Sequence, residues 1–389
     1  MATLKECILK LAPTDGHVHI TLVGGQAAPV YHGIVATNPD IVEVIYSEQS
    51  APVFEQIKKE VHVHIKDSAP LSPTNPDKIV KRAEMLAEKY KNSNKITLNI
   101  SGGPKSWSHL FGMVFQNKEN AAVVYMDQNN ILWNYKTMTA KRDFAFDMRT
   151  QFRLYGNPLE KYKQFSLYTE EDYKVCKEIE TLRKMFPNEF NSLFIITDNA
   201  TKNKVSANKG THTHGESYVE WDKSERQTLG TTTAHIFLKS KKYEKEITLT
   251  SPHAYYMLFD AGWFEYKVAE IFSRWDKAKE IVLNCSFPAK NNVDKNEVDI
   301  IINAGTKIIF VECKTQISKI TDIDKFRSVV KGYGGMGSKG IFVTDAVKTV
   351  HAKEKCQQNG LIDIDLSDGF NETDFYKLLD KELGQLNTK

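Results

Sequence analysis

The chain has few features that would assign it to an oxidising compartment or to a sulfur-bound metal. Its 389 residues include five cysteines, which are scattered and form no CxxC pair. Scattered cysteines are typical of buried thiols in a reducing compartment, and they argue against a disulfide framework and against a zinc site. They are Cys7, Cys176, Cys285, Cys313 and Cys356.

A charge excess of one sign and long apolar runs are also lacking. The 52 basic and 49 acidic residues give a net charge of +3, whereas a protein held on nucleic acid by charge alone carries a strong excess. Any nucleic-acid contact is therefore expected to be local. No segment approaches the ~18 uninterrupted apolar residues of a membrane span, and the first residues lack the apolar stretch of a signal peptide. We expect no membrane contact and a cytoplasmic location.

The first third of the chain alternates strand-like and helix-like segments. The predicted strands are HVHITLV, IVEVIYS, VHVHIKD and KITLNIS, and AAVVYMD with ILWNYK is a predicted closing hairpin. Helical segments separate the first four, among them the amphipathic SPTNPDKIVKRAEMLAEKYK. Strands that alternate with helices predict a mostly parallel α/β sheet.

The rest of the chain changes character twice. TEEDYKVCKEIETLRKMF is a predicted connector helix, SLFIITD a predicted strand, and NATKNKVSANKGTHTHGE an expected mobile loop or small insertion. After Thr250, one long helix over SPHAYYMLFDAGWFEYKVAEIFSRWDK is expected to precede the strands EIVLNCSF, EVDIIINA and KIIFVECKT. Alternating helices and strands then complete a second α/β domain.

Charged residues interrupt the apolar hairpin VDIIINAGTKIIFVECKT. Glu312 and Lys314 are two residues apart in a strand, so they point to one face and Cys313 to the other. Asp299 lies at the corresponding end of the neighbouring strand. Two carboxylates this close repel each other unless a cation intervenes, and Mg²⁺ or Mn²⁺ prefers oxygen ligands. The predicted ligands are Asp299, Glu312 and the main-chain carbonyl of Cys313, with Lys314 placed to orient an attacking water.

The alternative is that these charges are ordinary strand-end residues. Against it, the strands are apolar enough to be buried, where unpaired charges are costly. A third acid, Glu265, lies on the preceding helix, and a glycine-rich turn, KGYGGMGSKGIFVT, leads into another apolar strand. Glu297 shares the face of Asp299 but lies one step further out, so it is a less favoured ligand.

Two polar, glycine-rich loops follow predicted strands of the first domain. In an open α/β sheet, ligands bind beyond the carboxyl ends of the strands, and helix N termini favour anions. We therefore expect these loops to bind a phosphate-bearing ligand, with ordinary tight turns as the alternative. The candidates are the amides of Gly24, Gly25, Gly102 and Gly103 and the side chains of Gln26, Asn99, Ser101 and Lys105.

The acids and the lysine of the second domain resemble the restriction-endonuclease-like nuclease core, often written PD-(D/E)xK. The resemblance rests on Glu265, on EVD at 297–299, where Val298 replaces the proline, and on ECK at 312–314. It implies that Asp299 and Glu312 are metal ligands and that Lys314 is the catalytic lysine. Glu265 would assist the metal from its helix.

Nearly the whole chain resembles the CRISPR-associated ancillary nucleases, in which a CARF domain (CRISPR-associated Rossmann fold) is joined to a restriction-endonuclease-like domain. The segments that carry this resemblance are LVGGQAAPV, LNISGGPKSW, GWFEYKV and NEVDIIINAGTKIIFVECKT. The implied fold class is α/β, with a Rossmann-like CARF domain over 1–140, a helical connector and small mixed insertion over 141–250, and an α/β nuclease domain over 251–389.

This family resemblance also implies partners and regulation. Two chains would form a homodimer whose CARF domains bind one cyclic oligoadenylate, most often cyclic tetra-adenylate. The bound activator would switch on metal-dependent cleavage of DNA, RNA or both in type III CRISPR immunity. By position, the ligand contacts would be Gly24, Gly25, Gln26, Ser47, Ser101, Gly102, Gly103 and Lys105.

Two other functions stay open. One is a restriction or repair nuclease whose first domain binds DNA or a different nucleotide. The other is a sensor without catalysis, although the intact set of Glu265, Asp299, Glu312 and Lys314 argues against it.

Overall fold

The computed structural model of the chain describes residues 16–127, 130–141, 147–196, 198–223, 231–291, 293, 295–305, 307–315, 319–335, 338–367 and 370–383. These residues form two compact units. The N-terminal unit comprises 1–159 with 305–308 and 331–338, and the C-terminal unit comprises 160–304, 309–330 and 339–389. The first division between the two units falls between Leu159 and Glu160. This two-unit division does not test the limits 1–140, 141–250 and 251–389, which stay a prediction.

A seven-stranded sheet forms the centre of the N-terminal unit, in the order β3-β2-β1-β4-β5-β6-β7. Its strands are β1 (His17–Leu22), β2 (Ile41–Ile45), β3 (His64–Asp67), β4 (Lys95–Asn99), β5 (Ala121–Met126), β6 (Leu132–Asn134) and β7 (Thr139–Lys141). The first five pair in parallel, and β6 and β7 add an antiparallel edge. The predicted parallel sheet and its closing hairpin are confirmed.

Helices cover both faces of this sheet. They are α1 (Ala28–Thr37), α2 (Ala51–Glu60), α3 (Pro76–Lys89), α4 (Lys105–Phe115) and α5 (Met148–Leu154). On one face, Trp107, Phe111 and Phe115 of α4 follow helical spacing and pack with the apolar side chains of β1 and β4. On the other face, α1 and α2 pack against β2. The loops after β1 and β4 therefore extend from a sheet that helices cover on both faces.

Two sheets form the C-terminal unit: a mixed six-stranded sheet, β17-β16-β15-β14-β13-β8, and a four-stranded antiparallel sheet, β12-β11-β10-β9. The strands are β8 (Lys161–Gln164), β9 (Lys209–His214), β10 (Ser217–Lys223), β11 (Thr232–Lys239), β12 (Glu244–Ser251), β13 (Glu280–Ser286), β14 (Glu297–Asn303), β15 (Ile308–Lys314), β16 (Lys339–Thr344) and β17 (Ile362–Asp365). The helices are α6 (Glu170–Met185), α7 (Pro187–Phe194), α8 (Asn199–Val205), α9 (Ala254–Phe259), α10 (Gly262–Ser273), α11 (Thr321–Tyr333), α12 (Val350–Gln358) and α13 (Glu372–Glu382).

Two local predictions for this unit are wrong, and the structure defines a third segment that the sequence left open. SLFIITD is not a strand, because Pro187 occupies the first turn of α7 and the helix buries Phe190, Leu193 and Phe194. The tract expected to be a mobile loop or a small insertion forms α8 and β9, and β9 pairs with β10. The expected long helix is two helices, because Ala261 adopts a left-handed conformation with φ of 56°.

Across the described ranges, none of the helices combines the length and the apolar character that crossing a bilayer requires.

Candidate functional site

Adjacent strands of the C-terminal unit bring the predicted acids together. Asp299 lies on β14, and Glu312 and Lys314 lie on the neighbouring strand β15. The Nζ atom of Lys314 lies 2.7 Å from Oε1 of Glu312 and 3.7 Å from Oδ2 of Asp299. The strand spacing therefore places the three side chains at one point, as the period of two predicts.

The main chain of β15 fixes the orientation of Asp299. The amide N–H of Cys313 donates a hydrogen bond of 2.7 Å to Oδ2 of Asp299. The thiol of Cys313 is buried among apolar side chains of the core, and burial raises its pKa well above the usual value. Glu297, at the start of β14, is exposed to solvent.

Glu265 reaches the same site from α10. The Tyr256 hydroxyl hydrogen-bonds to Oε2 of Glu265, and it also lies 2.5 Å from Oδ1 of Asn284 on β13. Removal from water raises the pKa of Glu265 well above its ordinary value, and the charge of Asp299 raises it further. The hydrogen bond with Tyr256 and the charge of Lys314 act in the opposite direction.

A second ammonium group, absent from the sequence prediction, completes the site. The Nζ atom of Lys295 lies 2.7 Å from both carboxylate oxygens of Glu312 and 4.0 Å from Oδ1 of Asp299. Glu312 is only 2% exposed. Burial and the charge of Asp299 raise its pKa, against the effect of the two lysines. The one sequence signal for Lys295 is that it lies four residues before Asp299, in a polar segment.

The donor chemistry of this site fits a hard divalent cation. Within the described ranges, no three side chains of His, Cys, Asp or Glu are grouped to hold a metal ion. Asp299 and Glu312 nevertheless supply carboxylate oxygens side by side, and Mg²⁺ is commonly bound through one or two carboxylates with several waters retained. Asp299 and Glu312 are the side chains that would hold such an ion, and the part of the Cys313 carbonyl stays a prediction.

A polar cavity of about 510 Å³ lies at the same end of the sheet. Asp345, which follows β16, donates its amide N–H to the Lys314 carbonyl at 3.3 Å. The Arg183 guanidinium stacks over the Trp263 ring at 4.1 Å from the centroid and lies 3.4 Å from Asp345. Lys267 lies 3.1 Å from the same carboxylate. The cavity is lined by Glu180, Arg183, Lys184, Trp263, Lys267, Asp345, Leu366, Ser367 and Phe370.

The two glycine-rich loops of the N-terminal unit touch each other. A Cβ atom on Gly24 would lie 2.7 Å from the backbone nitrogen of Gly103, and one on Gly102 would lie 2.3 Å from the Leu22 carbonyl. Gly103 has φ of +76°, a left-handed conformation that glycine adopts without strain. Gly25 has open space around it. The structure therefore brings these four predicted glycines to one place.

Polar side chains surround the second loop. Oδ1 of Asn99 accepts a hydrogen bond of 3.0 Å from the Ser101 amide and a shorter one from the Ser101 hydroxyl, whose oxygen accepts from the Met126 amide at 2.6 Å. Nδ2 of Asn99 is buried and has no hydrogen-bond partner among the described residues. Lys105 begins α4, two residues after Gly103.

The two remaining ligand-binding candidates differ in their surroundings. Gln26 is exposed just before α1. The Ser47 hydroxyl accepts a hydrogen bond of 3.3 Å from the Ser50 amide, so it caps the short turn after β2. Ser47 is thus engaged in its own turn.

Solved structures share this fold across nearly the whole chain. Can2 from Sulfobacillus thermosulfidooxidans, solved in complex with cyclic tetra-adenylate, superposes with a TM-score of 0.61 at 15% identity over 95% of this chain and 99% of its own. Protein VC1899 from Vibrio cholerae gives 0.67 at 14% identity over the same shares. A type III CRISPR defence DNA nuclease activated by cyclic oligoadenylate gives 0.52 at 13% identity, over 86% of this chain and 46% of its own.

The likeness lies in the fold and hardly in the sequence. No protein-family profile matches the chain, and no curated protein sequence matches it. The α/β fold class, with a Rossmann-like parallel unit and a second mixed α/β unit, is confirmed.

Proposed function

We propose that the protein is a metal-dependent endonuclease of type III CRISPR defence that a cyclic oligoadenylate, cyclic tetra-adenylate in the first instance, activates. The observation that carries the proposal is the convergence of Asp299, Glu312 and Lys314, with Glu265 beside them, at one end of a mixed sheet. The shared fold with a nucleotide-bound protein and with a DNA nuclease supports it.

Each residue of this cluster has a role in phosphodiester hydrolysis. Asp299 and Glu312 would hold Mg²⁺ or Mn²⁺, which when bound lowers the pKa of water and polarises a phosphate oxygen. Lys314 keeps its ammonium charged: burial lowers its pKa, but Asp299 and Glu312 outweigh burial and raise it. A permanently charged ammonium beside the scissile phosphate orients the attacking water and stabilises negative charge that develops in the transition state.

The cavity beside Asp345, which is linked to the cluster only through the main chain of Lys314, would receive the nucleic-acid strand. Arg183, Lys184 and Lys267 contribute three positive charges to its lining against two negative charges from Glu180 and Asp345. Phosphate contacts of this kind are local, which agrees with the small net charge of the chain. The substrate would be DNA, RNA or both.

The paired loops of the N-terminal unit would bind the activator. Their glycine amides can approach a phosphate closely. A cyclic tetranucleotide with two-fold symmetry suits an isologous homodimer. Binding activates the nuclease only if the ligand prefers the active arrangement of the dimer.

Cleavage assays with a plasmid and an RNA oligonucleotide test the proposal, in Mn²⁺ with and without cyclic tetra-adenylate. We expect cleavage that requires the nucleotide. Cleavage that is indifferent to it would favour a restriction or repair nuclease, and no cleavage of either substrate would favour a sensor without catalysis.

Two substitutions test the assigned residues. Glu312→Ala and Lys314→Ala should each reduce cleavage by about 10²-fold or more, while the circular dichroism spectrum and binding of cyclic tetra-adenylate stay unchanged. Glu297→Ala is the matched control, because Glu297 is an exposed acid on the strand of Asp299. Full cleavage by the Glu312 variant would remove the assignment.

A further inference from the structure

The Lys295 ammonium lies close to both carboxylates that would hold a divalent ion. Its ammonium is equidistant from both carboxylate oxygens, at 2.7 Å, and lies 4.0 Å from Asp299. Lys314 Nζ lies 2.7 Å from Oε1 of the same carboxylate. Both lysines therefore contact the predicted metal ligand, and Lys295 contacts both of its oxygens.

The backbone delivers Lys295 to this position. The next residue, Asn296, closes the segment before β14: its side-chain amide donates to the Phe287 carbonyl at 2.7 Å, and its own carbonyl accepts from the Phe287 amide at 2.9 Å. The hydrogen bonds of Asn296 therefore hold the backbone beside Lys295 in place, while the Lys295 side chain remains 24% exposed. The ammonium can therefore reach solvent while the backbone that carries it stays near Glu312.

An ammonium and a divalent ion compete for Glu312. Mg²⁺ binds carboxylate oxygens at about 2.0–2.1 Å, and the two lysines already use most of the roughly four lone-pair positions of this carboxylate. A divalent ion would add its repulsion to that between the two ammonium groups. Displacing Lys295 relieves both the crowding and the repulsion, and the displaced ammonium would stay close to Asp299 because its backbone is anchored.

We propose that Lys295 is a resident counter-cation of Glu312 that a divalent metal ion must displace to load the site. This inference rests on the proposed function, because it takes Asp299 and Glu312 as metal ligands. It makes Lys295 a positioning residue: without metal it neutralises the buried carboxylates, and with metal its ammonium is released from Glu312. The ammonium thereby lowers the affinity of the site for the metal.

Direct metal binding tests the proposal without any cleavage assay. Free Mn²⁺ is measured by electron paramagnetic resonance during titration of the full chain and of Lys295→Met, which preserves side-chain length without charge. We expect Lys295→Met to bind Mn²⁺ at least about tenfold more tightly. Lys279→Met is the matched control, because Lys279 bonds to Asn303 at the end of β14 opposite to Lys295. The Mn²⁺ affinity of this variant should equal that of the wild type.

The outcomes separate this inference from the proposed function. Equal or weaker binding by Lys295→Met, in a protein whose wild type binds Mn²⁺ and whose Glu312→Gln variant does not, overturns the inference and leaves the metal site in place. No Mn²⁺ binding by the wild type or by Lys295→Met overturns both.

A second measurement uses the wild-type protein and so does not depend on how a variant folds. Amine acylation followed by mass spectrometry should modify Lys295 slowly without metal and several-fold faster with saturating Mn²⁺, because the ammonium leaves Glu312. Modification of Lys279 should not change. Acylation of Lys295 that is equally fast with and without Mn²⁺, at saturation confirmed by resonance, contradicts displacement.

Discussion

The aromatic ring of Tyr256 crosses the main chain at Gly262, where a Cβ atom would lie 2.0 Å from a ring carbon. Tyr256 lies on α9 and Gly262 begins α10, so the absent side chain allows the ring to pass from one helix toward Glu265 on the next. Gly262 is therefore a requirement for the placement of the third acid, although it makes no polar contact of its own.

Gly262→Ala should consequently disturb both stability and the site. The methyl group forces the half-buried ring of Tyr256 aside, and overpacking of this kind costs about 1–3 kcal/mol. We expect a lower free energy of unfolding in urea and a loss of cleavage. Ala261→Gly is the matched control, since Ala261 is exposed and already left-handed, and it should not destabilise the protein. A Gly262→Ala variant as stable as the wild type would show that the ring has another path.

Tyr256→Phe should shift the pH dependence of cleavage upward. The hydrogen bond from Tyr256 lowers the pKa of Glu265, so its loss raises that pKa further and the carboxylate forms only at higher pH. The midpoint of the acidic limb of kcat/KM should move to higher pH. Tyr255→Phe, which removes a hydroxyl bonded to the Val205 carbonyl, should leave the midpoint unchanged. A slower enzyme with an unmoved midpoint would assign Tyr256 a structural role only.

Gly102→Ala and Gly25→Ala should separate loop packing from ligand contact. A Cβ on Gly102 would clash with the Leu22 carbonyl, whereas Gly25 has no neighbour within 4 Å. We expect Gly102→Ala to lower the melting temperature and to abolish binding of cyclic tetra-adenylate. Gly25→Ala should melt like the wild type and bind the nucleotide more weakly, as calorimetry would measure. Unaltered binding in both variants would remove these loops from the activator site.

Buried imidazoles should make the N-terminal unit sensitive to acid. Burial lowers the pKa of His19 to about 3 and that of His32 to about 4. The unfolded chain binds protons below about pH 6.5 while the folded imidazoles stay neutral, so stability falls as pH drops from 6.5 toward 4. Each histidine should contribute a loss of about 2 kcal/mol at pH 5.

Hydrogen exchange of peptides from β1, corrected for intrinsic rates, measures this loss. His19→Gln should reduce the difference between pH 7 and pH 5, and the exposed His109→Gln should not. An unchanged pH dependence in His19→Gln would show that other groups govern the acid response.

The sequence predicted site residues that lie within strands, but it did not predict those in the segments between strands. Glu312 and Lys314 were predictable because a strand has a period of two, and apolar neighbours fix which face is buried. Lys295 precedes β14 in a polar segment where no periodicity applies. Only the folded backbone shows that its side chain turns back onto Glu312.

Tyr256 was missed for a different reason. The aromatic run at 255–259 and the helix that follows have continuous helical character, and nothing in the sequence marks Ala261 as left-handed. β8 was missed because KYKQ is polar, yet it pairs with β13 at the edge of the sheet, where polar side chains are tolerated. In both cases the tertiary surroundings decided the outcome, and the local sequence does not encode them.

The bond from the Cys313 amide to Asp299 has a consequence for how such a site can persist through divergence. An acid tethered to the peptide backbone of its neighbour depends on no particular side chain for its aim. Surrounding residues can then be exchanged widely, provided that the two strands keep their pairing.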